Sequence, residues 1–240
     1  METKTKDEPF RFRQFAVEQD RCSMKVGTDG VLLGAWAEVN EARHILDIGM
    51  GSGLIAIMLA QRNETARIDG VEIDQPSFEQ AGTNMARSPW SERLEAFHTS
   101  IQDFAQATTT RYDLIVSNPP FFTGGNLSYN QDRNSVRHTV KLPHQDLLSA
   151  VRKLLNERGH FAVILPYIEG LRFCELAATY QLYCFRMTEV QSRADRPVER
   201  LLLEFGRTKQ DRLVEQLVLQ ANEDQERTAA YRALTEDFYL

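Results

Sequence analysis

Apolar and polar positions along this chain follow two periods in turn. Short apolar runs without a helical repeat predict strands, and stretches with apolar residues three and four apart predict helices. The runs at 44–47, 67–74, 94–98, 112–117 and 161–166 predict strands, and 182–190 and 198–205 predict two closing ones. Between them lie predicted helices over 54–61, 75–87, 145–156 and 169–180, with a short helical turn after Ser100. The stripe Leu147, Leu148, Val151, Leu154 and Leu155 is the clearest of these periods. Gly159 is expected to end the turn between that helix and the next strand. Near the start, residues 10–15 alternate aromatic and polar, predicting a short strand with Arg11 and Arg13 on its solvent face. The tail shows a possible strand at 217–219 and an amphipathic helix over 227–238. Alternation of strands and helices predicts an α/β domain: a mostly parallel, seven-stranded sheet with helices on both faces.

Composition narrows the class. At 240 residues, 42% hydrophobic and 26% charged, the chain has the make-up of one soluble globular domain. Residues 1–9 are polar and charged, which predicts a disordered leader and no signal peptide. No apolar run reaches transmembrane length, so a cytoplasmic location without a membrane partner is expected. A formal net charge of -6 weighs against binding nucleic acid through bulk positive charge, while leaving room for a local basic patch. Cys22, Cys174 and Cys184 are odd in number and lack metal-ligand spacing, which suits reduced thiols. The five histidines form no ligand pair, so no metal is expected.

The most informative stretch runs from Asp113 to Phe122. A buried strand meets Asn118, which precedes a proline and is therefore held extended. Pro119 and Pro120 each fix φ and lack an N–H. A stiff loop at a strand's C-terminal end then presents a side-chain amide, free carbonyls and the ring of Phe121. That set suits a planar group carrying an NH2. The Asn118 amide oxygen and the Pro119 carbonyl each accept one of its hydrogens, and Phe121 stacks on the plane. Asn-Pro alone is an ordinary turn opener; the specificity lies in Asn-Pro-Pro-Phe after this strand.

The second signal is Asp47-Ile48-Gly49-Met50-Gly51-Ser52-Gly53. Its glycines let backbone approach a ligand closely. About 20 positions on, the next strand ends in Glu72, Ile73 and Asp74; an acid there accepts hydrogen bonds from both hydroxyls of a ribose. Glu72 is the candidate. Asp74 is the alternative, although it also suits the cap of the helix opened by Gln75-Pro76. After the third strand, Asp103 is placed either to hold an adenine amino group, with Ile101 or Phe104 over the ring, or to cap the surface. Upstream, Lys25 to Trp36 reads equally as a plain start of a helix capped by Thr28 or Asp29 and as a lid over a ligand. Residues 122–143 form a long polar connection holding Arg133, Arg137, His138 and Lys141 against Asp132, read as a substrate loop rather than a solvated insert. Another cluster, Arg193, Arg196 and Arg200, falls between the two closing strands.

Together the glycine loop, Glu72 and Asn118-Pro119-Pro120-Phe121 resemble the amino-methylating class I S-adenosylmethionine-dependent methyltransferases, with their Rossmann-like fold. The likeness covers residues 24–206. More narrowly, residues 20–36, Ser88-Pro89-Trp90 and the ending Ala233 to Leu240 resemble the bacterial valine-tRNA adenine N6-methyltransferases, which act at position 37 beside the anticodon. The resemblance implies S-adenosylmethionine as cofactor and tRNA as partner. It implies a single domain over 10–240, with an N-terminal cap over 10–43 and a C-terminal extension over 207–240. It implies cofactor contacts at Asp47, Gly49, Gly51, Gly53, Glu72, Ile73, Asp103 and Asn118, and at Lys25 and Thr28. Catalysis would fall to Asn118, Pro119, Pro120 and Phe121. Arg11, Arg13, Arg133, Arg137 and Lys141 are the candidate phosphate contacts. Met50 and Phe121 depart from the family's frequent Ala and Tyr; Phe121 keeps stacking but lacks a hydroxyl. The same loop chemistry would serve protein glutamine N5-methylation, but only about 40 residues precede Asp47, too few for a separate helical domain. Guanine N2 methylation of ribosomal RNA and a non-catalytic RNA-binding scaffold are the remaining alternatives.

Overall fold

In a computed structural model, which describes residues 8–22, 25–120, 142–221 and 226–239, the chain opens with a hairpin of β1 (Phe10–Arg11) and β2 (Ala16–Val17). Helix α1 (Thr28–Trp36) follows. Then come β3 (His44–Ile48), α2 (Leu54–Arg62), β4 (Arg67–Glu72), α3 (Gln75–Arg87), β5 (Leu94–His98), α4 (Ile101–Ala107) and β6 (Tyr112–Ser117). The second half carries α5 (His144–Leu154), β7 (Leu155–Pro166), α6 (Tyr167–Thr179), β8 (Tyr183–Arg193), β9 (Arg200–Gly206), β10 (Leu213–Gln220) and α7 (Ala229–Thr235).

One sheet holds eight strands in the order β10-β8-β9-β7-β6-β3-β4-β5. Only β9 runs antiparallel to its neighbours β7 and β8. The seven expected strands are present. The eighth is the tail segment: β10 pairs with β8 over seven register positions, from Leu213↔Arg186 to Gln220↔Arg193. Its upper half is solvent-facing, so its apolar pattern is weak, and only Leu217 is buried.

Period-two alternation sorts the strands' side chains into two cores. Ile45, Leu114, Val116, Ala162, Ile164 and Leu202 face α1, α2, α3 and α7. Their neighbours Leu46, Ile115, Val163, Leu165, Leu201 and Leu203 face α4, α5 and α6. Burial on both faces is why these strands read as continuous apolar runs.

Three expectations change in detail. The short strand over 10–15 is a hairpin, closed by Phe12 N–H donating to the Phe15 carbonyl at 2.8 Å. Phe12 and Phe15 are buried while Arg11 and Arg13 are exposed, as the alternation predicts. Gly159 does not end a turn: β7 follows α5 directly, and Gly159 lies where the β6–β7 register shifts. A Cβ there would stand 2.8 Å from the Tyr112 carbonyl oxygen, so the close approach of backbone is what requires glycine. The tail helix is also shorter, Ala229–Thr235 in place of 227–238.

Candidate active site

Parallel strands end their chemistry at one rim, beyond their C-terminal ends. Because β9 is antiparallel, its first residues reach the same rim. The loops after β3, β4 and β6 therefore meet the start of β9 and the ends of β8 and β10. A cleft of about 530 Å³ opens there. One wall holds Lys25, Thr28 and Asp29 of the α1 approach with Gly49, Met50 and Gly51; Asn118 joins it from β6; Ser192, Glu199, Arg200 and Gln220 form the other.

Close approach to a ligand is the reason expected for the loop's glycines; the backbone itself supplies another. Gly49 and Gly51 have φ of 71° and 55°, the left-handed region, and a Cβ on either would meet nothing within 4 Å. Glycine is thus demanded here by conformation and not by crowding. Gly53 (φ 79°) begins α2 and faces Ala81 and Met85 of α3, so it closes the loop rather than lining the cleft. Glu72 pins the loop: its Oε2 accepts from Gly51 N–H at 3.0 Å, and its Oε1 accepts from the Ile73 and Asp74 N–H groups, both at 2.9 Å. Ile73 lies exposed beside it. Asp74 is the helix cap, accepting from Ser77 N–H at 3.1 Å, which leaves Glu72 as the rim acid. Asp103 is exposed in the first turn of α4; its Oδ2 accepts from Ser100 Oγ at 2.7 Å, and Ser100 in turn caps the helix. Glu72 and Asp103 extend the rim beyond the glycine loop without lining the cleft.

Met50 fits because β4 has a glycine beneath it. A Cβ on Gly70 would stand 2.3 Å from the Met50 Sδ, and Met50 itself is buried. We expect Gly70→Ala to push the loop off its seat, costing about 1–3 kcal/mol of stability as overpacking does. In a Met50→Ala background, itself less stable because a buried side chain is truncated, the added cost of Gly70→Ala should largely vanish, measured as a double-mutant cycle by urea unfolding. Additive effects would show that the two residues are not in competition.

Asp47 sits under the cleft floor and has no exposed surface. Its Oδ2 accepts from Ala56 N–H of α2 at 3.2 Å, and its Oδ1 has no hydrogen-bond partner among the described residues. Burial, opposed by that one hydrogen bond and reinforced by the nearby Glu72 charge, pushes its carboxyl up to about 7.

Asn118 lines the cleft. Its Oδ1 is buried and has no hydrogen-bond partner among the described residues. A buried acceptor without a partner costs about 1–3 kcal/mol, so a fold that retains one calls for an explanation. Gly30 of α1 packs against the other end of the amide: a Cβ there would lie 4.0 Å from Asn118 Nδ2. Ser117, just before it, donates from Oγ to the Ile48 carbonyl at 2.8 Å and ties the end of β6 to β3. Pro119 is buried and Pro120 half-buried. Phe121, Arg133, Arg137 and Lys141, with nearly all of the expected substrate loop over 122–143, lie outside the described residues.

Some site residues were not legible in the sequence. Gln80 and Asn84 on α3 are buried posts for the segment leading to Lys25. Asn84 Nδ2 donates to the carbonyls of Glu18 and Ser52, each at 2.9 Å, and Gln80 Oε1 accepts from Arg21 N–H at 3.0 Å. Two polar residues four apart on the inner face of a helix were the available signal. Of the candidate phosphate contacts, Arg11 is exposed, whereas Arg13 is a tether. Its backbone N–H donates to the Phe238 carbonyl at 2.9 Å and its guanidinium to that of Tyr239. The hairpin carrying both packs Phe15 edge-on against Trp90, past the C-terminal end of α3. That is about 20 Å along the helix from the rim.

A cleft of this size and place, a loop opened by left-handed glycines, a rim acid after the second strand of the sheet motif and an unpartnered amide oxygen fit an adenosyl cofactor with an amino-bearing acceptor beside it. Comparison with known proteins agrees. The family model described as "Methyltransferase small domain" matches residues 25–165. A predicted O-methyltransferase from Agrobacterium tumefaciens has the same fold, with a TM-score of 0.69 at 16% identity over 88% of this chain and 96% of that one. A tRNA1(Val) (adenine(37)-N6)-methyltransferase from Proteus mirabilis (strain HI4320) is 43% identical over 236 residues, 96% of this chain and 93% of the relative. One of the same name from Flavobacterium psychrophilum is 44% identical over 233 residues, 96% of this chain and 99% of the relative. Identity at this level over nearly the full length of both partners places the chain in the tRNA1(Val) (adenine(37)-N6)-methyltransferase family.

Proposed function

We propose that this chain transfers a methyl group from S-adenosylmethionine to N6 of adenine 37 in tRNA1(Val). The observation that carries the reading is the buried, unpartnered Oδ1 of Asn118 at the cleft. When bound, the cofactor supplies an electrophilic methyl carbon on a positively charged sulfur. The chain's own residues supply the rest. Glu72 holds the ribose hydroxyls, Ile73 and Asp103 serve the adenine, and the glycine loop with Lys25 and Thr28 serves the remainder of the cofactor.

The acceptor nitrogen needs help, because its lone pair is delocalised into the purine ring. Asn118 Oδ1 and the Pro119 carbonyl each accept one amino hydrogen. This favours a more tetrahedral nitrogen with its lone pair directed out of the ring plane. Positive charge then develops on that nitrogen, and two fixed acceptors stabilise it. Neither is a base. The methylated nitrogen sheds its extra proton to solvent, since its acidity is high. Phe121 is the proposed stacking surface. The base must leave the anticodon-loop stack to reach the cleft, as bases do for enzymes that act on their edges. Among the described residues, no helix is long and apolar enough to cross a membrane.

The test uses unmodified tRNA1(Val) with labelled cofactor. Wild-type tRNA is expected to gain label as N6-methyladenosine, and an adenine-37-to-guanine transcript to gain none. Equal labelling of both transcripts would move the acceptor elsewhere.

A further inference from the structure

The geometry points to the β8–β9 hairpin as the arm that grips the RNA backbone beside the target nucleotide. This inference rests on the RNA-methylating reading above. The hairpin forms the cleft wall opposite the glycine loop, contributing Ser192, Glu199 and Arg200. Its tip, residues 191–200, holds Arg193, Arg196 and Arg200 against Asp195 and Glu199, in a chain whose net charge is -6. A polyanion must find its cations locally on such a protein.

The hairpin is braced from within. Arg193 and Asp195 form a two-point ion pair, Nε to Oδ1 and Nη2 to Oδ2, both at 3.0 Å. Arg196 N–H donates to the Arg193 carbonyl at 3.0 Å, and Gln191 Nε2 donates to the Arg196 carbonyl at 2.7 Å. Ser192 Oγ donates to Glu199 Oε1 at 2.6 Å. At its base, Arg200 Nε donates to Asp29 Oδ2 at 3.0 Å, which joins the hairpin to the first turn of α1. The two acids are thereby engaged in shaping the tip. Arg196 is exposed at that tip. It stands on the same rim as Asn118, whereas Arg11 and Arg13 lie toward the opposite end of α3.

A tip with this much internal bonding, and with Arg196 exposed, suits a preformed contact with a flexible strand. A backbone already fixed at Arg196 and an ion-paired Arg200 leave less to be ordered on binding. The chemistry is that of phosphates flanking an unstacked nucleotide: Arg196 at the mouth, Arg200 within.

The experiment measures binding of an unmodified valine anticodon stem-loop across a salt series, together with methylation of full tRNA. Arg196→Gln is expected to weaken binding about three- to tenfold at low salt and to reduce the slope of log K against log[salt] by about 0.7, one phosphate contact in single-stranded RNA. Cofactor affinity and melting temperature should stay unchanged. Arg196→Gln with Arg200→Gln should lower the slope further, and Arg200→Lys should recover part of it. Lys153→Gln, exposed at the far end of α5, is the control for bulk charge and should leave the slope as it is. An unchanged slope in Arg196→Gln, or an equal change in Lys153→Gln, overturns the inference. A fall in cofactor affinity with Arg200→Gln and no change of slope would assign Arg200 to the cofactor instead. Wild-type enzyme that methylates adenine 37 while Arg196→Gln behaves identically would sink the hairpin alone; failure to methylate or bind tRNA would sink the functional reading as well.

Discussion

Asn118→Ala should lower the methylation rate roughly 10²–10³-fold, the loss seen when one fixed polar group facing developing charge is removed. Cofactor binding should survive, because Gly51, Glu72 and the glycine-loop backbone are untouched. The buried amide oxygen has no partner among the described residues, so its loss leaves no broken hydrogen bond behind. The variant should be as stable as wild type, or more so, since a buried unsatisfied acceptor disappears. That combination separates a catalytic role from a structural one. Asn118→Asp keeps an acceptor at the same reach and should retain part of the rate. Single-turnover transfer with saturating cofactor, beside calorimetric cofactor binding, reads both quantities. A comparable drop in cofactor affinity would give Asn118 a different task.

Asp47→Asn should change how stability depends on pH. The Asp47 carboxyl is pushed up from 3.8 to about 7, first by burial. A group whose folded pKa is raised contributes stability that is present below its unfolded value and lost as pH climbs through the folded one. For Asp47 the window therefore runs from about pH 4 to about pH 7, and the free protein weakens across it. Three units correspond to an upper limit of about 4 kcal/mol. An amide keeps the acceptor for Ala56 N–H and cannot ionise, so Asp47→Asn should flatten this slope and stabilise the free protein at pH 8. Urea unfolding of both proteins at pH 5 and pH 8 measures the difference. A wild-type protein that loses no more stability than the variant over that window would show that Asp47 ionises without penalty.

Much of the fold was written in local pattern. The strand end at Ser117 and the helix start at Gln75 fall where an apolar run and Pro predict them; the first sheet strand runs one residue longer, to Ile48, and the second stops two residues sooner, at Glu72. Pro76 pointed to Asp74 as a cap while leaving it the alternative to Glu72, and the Ser77 N–H bond shows Asp74 in that capping place. What escaped was longer in range. Gly159 looks like a turn residue by composition, yet its constraint is a carbonyl from another strand. Asp47 stands among the implied cofactor contacts by its place in a motif, and its burial beneath α2 is something the motif does not show.

The sequence by itself determined the α/β alternation, the glycine-rich turn after the first sheet strand and the proline-stiffened Asn118 kink. Each depends on φ limits or side-chain periods acting within a few neighbouring residues. Tertiary structure alone decided that β10 extends the sheet, that Gln80 and Asn84 hold the approach to Lys25, and that Arg200 meets Asp29, 171 positions away. Those contacts depend on strand order and register, which bring distant segments to one rim and leave no mark in any short stretch of chain.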